Sequence, residues 1–178
     1  MSIGPRQELL LPVRPGFLWF TLLVALIANL LPWEGVWTWL KPDFVALALL
    51  FWIVREPRLI GFGVAFVLGL AMDVAQASLF GQHALAYTVV ALGATLLRRR
   101  LRMFSTDKHI LQILPILLTA QAVILLVRLA GGAAFPGWTW FVSPFTGALL
   151  WPQVWFVLLA PLRPRIAAAE PICSRRGG

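Results

Sequence analysis

Six long runs of apolar residues divide this chain and constrain its fold more than any other feature. Apolar residues make up 60% of the sequence and charged residues 12%, against roughly 45–50% and 25% in a soluble domain. A water-soluble fold of 178 residues could not bury so much apolar surface. The strands of a membrane barrel alternate apolar and polar residues over about ten positions, whereas these runs are continuous. The sequence therefore predicts an all-α, polytopic membrane protein.

The apolar runs give the boundaries of a six-helix transmembrane bundle in a single membrane domain. The predicted spans are residues 17–31, 43–54, 59–75, 82–97, 110–129 and 141–162, with polar flanks at 1–16 and 163–178. The second span reaches only about 18 Å at about 1.5 Å per residue, which is short for a hydrocarbon core of about 30 Å. We expect it to tilt little, to thin the bilayer or to be re-entrant. The first span lacks small residues at cleavage positions and is expected to stay as an anchor.

The basic residues orient this bundle. If the N-terminus is inside, thirteen of the 15 lysines and arginines fall in inner segments, and only Lys41 and Arg128 fall outside. Cytoplasmic loops carry such an excess of cations, so both termini are predicted to be cytoplasmic. The cluster at residues 98–102 is then expected to touch anionic lipid headgroups. No nucleic-acid partner is predicted, although the net charge is +8.

Catalytic chemistry finds little support in this sequence. The two histidines, His83 and His109, fall at opposite predicted faces of the membrane. No acidic, histidine and cysteine residues have the spacing of metal ligands, and no serine lies in a nucleophile elbow. A glycine-rich phosphate loop is also absent. We therefore predict a protein that is not an enzyme and that needs no cofactor or metal.

Asp73 is the most unusual residue within the predicted spans. Ionisable groups in membrane segments cost several kcal/mol and usually face a protein interior or a polar cavity. Gly61, Ala65, Gly69 and Asp73 recur every four residues and share one helix face, and small residues at this spacing let two helices approach closely. Asp73 lies about 21 Å from the inner end of its span, toward the outer leaflet. It is expected either to cap the link to span four, bonding His83 or Tyr87, or to form part of a docking site.

Further polar residues are predicted at the same outer end. Asp43 opens span two and His83 opens span four, with Tyr87 one turn later on the same face. The candidate site, for partner binding or for structure, comprises Pro42, Asp43, Gly69, Asp73, Gly81, His83 and Tyr87. Asn29, Gln112, Gln121 and Gln153 lie within spans and are expected to form hydrogen bonds between helices.

The order of these features resembles the MreD family of bacterial rod shape-determining membrane proteins. The resemblance is carried by Pro42-Asp43-Phe44, Gly69-Leu70, Asp73, Leu79, Gly81, His83-Ala84-Leu85 and Tyr87. It implies a multi-pass scaffold of the elongation machinery in the cytoplasmic (inner) membrane, which supports peptidoglycan synthesis and cell shape. The implied partners are an MreC-like single-span protein and, through it, MreB filaments, the RodA glycosyltransferase and its penicillin-binding transpeptidase. The implied fold is that of the substrate-binding subunits (S-components) of energy-coupling-factor transporters.

Two other functions stay open beside the scaffold. One is a vitamin-type solute-binding subunit of an energy-coupling-factor transporter. Such subunits resemble one another in a first helix that carries two alanines four residues apart. Here Ala25 and Ala28 are three apart, with Asn29 at the fourth position, which weakens that resemblance. The other is binding of a lipid or a wall precursor in an interior cavity, which is compatible with scaffolding.

Overall fold

A computed structural model describes residues 15–103 and 106–162, with the backbone alone for 99–103 and 106–109. Its helices are α1 Pro15–Leu30, α2 Trp37–Leu40, α3 Phe44–Arg55, α4 Phe62–Ala75, α5 Gln82–Met103, α6 Thr106–Ala130 and α7 Val142–Leu159. Short 3-10 turns at Trp138–Phe141 and Ala160–Leu162 flank α7. These described ranges contain no strand, which confirms the all-helical prediction. The predicted tails at 1–14 and 163–178 lie outside the described residues.

Each predicted span corresponds to one helix, with shifted ends. The largest differences are at α5, which continues through the basic cluster to Met103, and at α6, which begins four residues earlier than expected. Helix α4 begins three residues later than expected. Within the described residues, three segments are long and apolar enough to cross a membrane: Trp37–Arg55, Ile110–Ala130 and Trp138–Leu162. The apolar helices α1 and α4 are shorter. The number of crossings therefore stays a prediction.

Helix α3 forms the centre of the bundle. All ten residues from Val45 to Val54 are buried, as expected of a helix that is apolar on every side. It packs against α1, α5 and α7, and the Trp52 indole Nε1 donates a hydrogen bond to Thr21 Oγ1 of α1 at 2.8 Å. This short helix thus contacts protein along its length. The mismatch between its length and the thickness of the bilayer therefore matters less than the sequence suggested.

The tightest helix pair is α4 with α5, and Gly69 lies at its closest point. A Cβ atom built on Gly69 would lie 2.3 Å from Ala84 Cα and 2.5 Å from Ala84 N, so only glycine fits there. Ala65 is also fully buried. Gly61, the first residue of the predicted ladder, instead precedes α4 as its N-cap and is exposed, with open space around its Cβ position. The close packing therefore involves Ala65 and Gly69, and Gly61 takes no part in it.

Long helices that are consecutive in the chain run in opposite directions, so α3 and α5 run parallel to each other. The start of α3 and the start of α5 meet near the ends of α1 and α4, through hydrogen bonds described below. At the opposite end of the bundle, Arg98 Nε donates to the Val54 carbonyl oxygen at 3.2 Å, which joins late α5 to late α3. This alternation gathers the polar residues of the candidate site at one end.

The contact at Gly69 leads to a stability prediction. Gly69→Ala forces a methyl group against the Ala84 backbone, and such overpacking costs about 1–3 kcal/mol or more. Gly63→Ala in the same helix is the matched control, because nothing lies within 4 Å of its Cβ position. That change should be neutral or stabilise by up to about 1 kcal/mol. Thermal unfolding in detergent measures both variants, and equal midpoints would contradict the close approach.

Candidate functional site

The Asp73 carboxylate is completely buried and accepts five hydrogen bonds. Its Oδ1 accepts from Ser78 Oγ at 3.0 Å and from the backbone N and the ring Nδ1 of His83, both at 2.8 Å. Its Oδ2 accepts from Gly81 N at 2.8 Å and Ala84 N at 3.5 Å. Because a carboxylate is only an acceptor, the His83 ring donates from Nδ1. Asp73 thus caps the start of α5 from the end of α4.

The link between α4 and α5 brings these donors to Asp73. Ser78 N donates to the Asp73 carbonyl and Ala77 N to the Val74 carbonyl, the paired bonds of a Schellman helix end. Ala77 has a φ of 49°, the left-handed conformation that this motif requires and that glycine usually adopts. Gly81 has a φ of 94°, so the turn into α5 also needs a glycine. The link is therefore a defined turn with its donors directed back at α4.

A second carboxylate, Asp43, joins three helices. Its Oδ1 accepts from Asn29 Nδ2 of α1 at 2.7 Å, from Tyr87 Oη of α5 at 3.0 Å and from Ala46 N at 3.0 Å. The last bond makes Asp43 the N-cap of α3. Asn29 Oδ1 accepts in turn from Phe44 N at 3.1 Å. Asn29 and Tyr87 are both buried, so this network fixes the start of α3 between α1 and α5.

The two networks are adjacent because His83 and Tyr87 occupy successive turns of α5. Their rings are 6.0 Å apart in an edge-to-face arrangement, with His83 bound to Asp73 and Tyr87 bound to Asp43. The sequence allowed Asp73 to bond either residue, and the structure pairs it with His83 only. Tyr87 reaches the other carboxylate because it lies one turn deeper along α5.

A cavity of about 420 Å³ opens beside these networks at the same end of the bundle. Its wall includes Asn29, Asp43 and His83, together with Gln76 at the end of α4 and Gln121 of α6. Pro42 is buried and also lines it. The cavity is thus lined by side chains from six helices (α1, α2, α4, α5, α6 and α7) and from the segments between them. Its lining mixes hydrogen-bonding groups with aromatic rings.

Trp140 forms part of the far wall of this cavity. Its carbonyl oxygen accepts from Gln121 Nε2 at 3.2 Å, and the Arg128 guanidinium lies 4.8 Å from its ring centroid. Its indole Nε1 is buried with no hydrogen-bond partner among the described residues. The contacts of Trp140 with Gln121 and Arg128 therefore join the 3-10 turn before α7 to α6 at this side of the cavity.

Sequence reasoning identified both carboxylates but not all of their partners. Asn29 was expected to bond another helix without a named partner, and Ser78 and Trp140 were not assigned to the site. Lys41 was not assigned to it either, although it lines the cavity and its Nζ donates to the Asn29 carbonyl oxygen. The signal for Asn29 was its place near the end of span one, at the level where span two begins. Nothing local in the sequence marks Trp140, because its position depends on how α6 and α7 pack.

The arrangement binds and positions groups and contains no reacting pair. Both oxygens of Asp73 and the Oδ1 of Asp43 accept hydrogen bonds from the protein, and the histidine near them is bound to Asp73. In the part of the chain described here, no group of three histidine, cysteine, aspartate or glutamate side chains could hold a metal ion.

Comparison with known proteins assigns the family. The profile described as rod shape-determining protein MreD matches residues 13–162. The chain belongs to the MreD family. It is 31% identical over 156 residues to the rod shape-determining protein MreD of Haemophilus influenzae, covering 83% of this chain and 93% of that protein. No solved structure matches the chain. The MreD family determines cell shape and is not known for catalysis. The apolar helices of the present chain fit a membrane protein.

The two aspartates should respond differently to loss of charge. Asp73 accepts hydrogen bonds at both of its oxygens. Asp73→Asn therefore places an amide NH₂ group against a backbone N–H and leaves a buried donor unpaired, which should lower the free energy of unfolding by about 1–3 kcal/mol. All three bonds to Asp43 go to Oδ1. Asp43→Asn can keep that oxygen in place and should cost less than about 1 kcal/mol.

Thermal unfolding of the two purified variants in one detergent measures this difference. Asp73→Asn should melt clearly below Asp43→Asn. The reverse order would mean that the capping bonds of Asp73 contribute little to stability.

Proposed function

We propose that this chain is a non-enzymatic scaffold of the bacterial lateral wall-synthesis machinery, and that it binds an MreC-like single-span protein. Its membership in the rod shape-determining family supports a role in cell shape. The partner would connect it indirectly to MreB filaments, to the RodA glycosyltransferase and to its penicillin-binding transpeptidase. Membrane lipids would surround the bundle in the cytoplasmic membrane.

The proposed topology has six crossings with both termini in the cytoplasm, in the fold of S-components of energy-coupling-factor transporters. The alternating helix directions and the excess of cations in the predicted inner segments support it. With this orientation, Arg55, Arg58 and Arg98 lie at the inner end, and Lys41 and Arg128 lie at the outer end with the cavity. The cavity would then open toward the side where the soluble part of the partner lies.

The observation that carries the docking site is the polar cavity at this end. Its volume of about 420 Å³ falls within the range of roughly 300–1,000 Å³ for binding pockets. Its walls are held by the Asp43 and Asp73 networks, so the site is formed before a partner arrives and loses little entropy on binding. We infer that a short segment of the partner, just outside its membrane helix, inserts side chains into this cavity.

Filling the cavity tests this proposal. Gln76 lines the cavity and is exposed, so Gln76→Trp should fold normally and reduce copurification of a coexpressed MreC-like protein about tenfold or more, as about 1.4 kcal/mol of lost binding would. Phe80→Trp is the matched control, because Phe80 is 74% exposed in the same link and does not line the cavity. Rod shape should follow copurification in cells that depend on this chain. Equal copurification by both variants would contradict docking in the cavity.

A second candidate function is binding of a lipid headgroup or a wall precursor in the same cavity. The mixed lining of the cavity favours it, because Gln76 and Gln121 supply hydrogen-bonding groups and the Trp140 side supplies an aromatic surface, as in small-ligand pockets. The vitamin-transport alternative has less support. Ala25 and Asn29, four residues apart on α1, are both buried, so they form no exposed docking stripe for a coupling protein.

Native mass spectrometry separates these alternatives. A bound lipid or precursor should appear on the purified wild-type protein and be lost from Gln76→Trp. A vitamin on the wild-type protein, with no MreC-like protein in the copurified material, would overturn the scaffold proposal.

A further inference from the structure

Gln153 is an exposed amide near the middle of a helix that is long and apolar enough to cross a membrane. It lies eleven residues after Val142 and nine before Leu162. At about 1.5 Å per residue these distances are roughly 16 and 14 Å, which is close to the midplane of a core of about 30 Å. A polar side chain at that depth normally faces protein or water, yet this one faces outward.

Within the described part of the long helices, Thr95 and Thr119 are also exposed, but each carries a single hydroxyl, whereas the Gln153 amide carries two donors and a separate acceptor oxygen. The hydroxyls of Thr95 and Thr119 donate to carbonyl oxygens of their own helices, at Ala91 and Pro115, and so hide their protons from lipid. In its best-bonded orientation, the Gln153 amide donates to the carbonyls of Leu149 and Leu150 at 3.0 Å. Its oxygen is then directed away as an acceptor. Within an α-helix those two carbonyls already accept backbone N–H groups, so the amide can leave them at little cost.

The surface around Gln153 is a continuous apolar stripe on α7. Phe145, Leu149 and Val157 are 54%, 67% and 66% exposed, and with Gln153 they recur every four residues along one helix face. The stripe has the geometry of a helix-packing seam with one polar residue at its centre. In other packed helices, a single central amide sets the register of association.

We propose that this α7 stripe binds a second copy of the chain, with the two Gln153 amides hydrogen-bonded to each other. Consider two copies that have the same topology and are related by a two-fold axis along the membrane normal. Each residue of one copy then lies at the same depth as the same residue of the other copy. Gln153 therefore meets Gln153, and an amide is self-complementary because it holds both a donor and an acceptor. The proposal is independent of the MreC-like partner and of the cavity, which lies at the end of the bundle.

Cysteine cross-linking tests the geometry. The chain's one cysteine, Cys173, lies outside the described residues, so a Cys173→Ser background gives a clean starting protein. Gln153→Cys, purified into vesicles of phosphatidylethanolamine and phosphatidylglycerol, should form a disulfide dimer on mild oxidation. Val67→Cys is the control, because Val67 is 63% exposed near the middle of α4. No dimer at 153, or equal dimers at 153 and 67, would overturn the proposal.

Substitution of the amide tests its contribution in an otherwise native chain. Gln153→Leu keeps an apolar surface toward lipid, and the monomer should fold as before. Its dimerisation constant in the same vesicles, from energy transfer between labelled copies, should fall about three- to thirty-fold, because an interhelical hydrogen bond contributes about 0.6–2 kcal/mol. Gln153→Asn should retain part of the association. An unchanged constant for Gln153→Leu would refute the amide pair.

Discussion

The rest of this structure depends on the hydrogen bonds that the fully buried carboxylate of Asp73 accepts. A buried charge is stable only when it is paired and hydrogen-bonded, and here all five donors come from residues 78–84. Three of them are backbone N–H groups at the start of α5, where the positive end of the helix dipole also favours an anion. The carboxylate thereby fixes the angle and register between α4 and α5, and Gly69 permits the resulting contact with Ala84.

The remaining polar contacts follow from that hairpin. Once α5 is positioned, Tyr87 is directed at Asp43, and Asp43 in turn binds Asn29 and caps α3. The core around α3 is almost wholly apolar, and apolar packing alone specifies register weakly when lipid is equally apolar. We infer that the two carboxylate networks specify one arrangement of the helices, whereas the apolar core provides most of the packing contacts.

In the proposed scaffold, these networks would hold the binding surface in place. Both oxygens of Asp73 are occupied and its histidine is bound, so these groups support the side of the cavity that α3, α4 and α5 form. The cavity's other side contains Gln121 and Trp140, whose backbone carbonyl oxygen accepts a hydrogen bond from the Gln121 amide.

Much of the fold was predictable from the sequence because the responsible signals are local. Apolar runs gave the helices to within a few residues, cation counts gave an expected orientation, and the spacing of Gly69 and Asp73 indicated a packed face ending in a buried charge. Local reasoning failed at Gly61, where the helix begins later than the apolar run. It also failed to predict that the short second span would be the centre of the bundle.

By itself, the sequence determined that the described residues are helical and fit a membrane protein, and it predicted that polar residues gather near one end of the spans, because hydrophobicity and charge act residue by residue. Only the tertiary structure decided that Asp73 binds His83, that Tyr87 and Asn29 bind Asp43, and that Gln121 and Trp140 complete a cavity. These pairings join residues from different helices and depend on how far each helix is rotated and shifted against its neighbours. Helical periodicity specifies the face that a residue occupies, whereas its partner is chosen by three-dimensional packing.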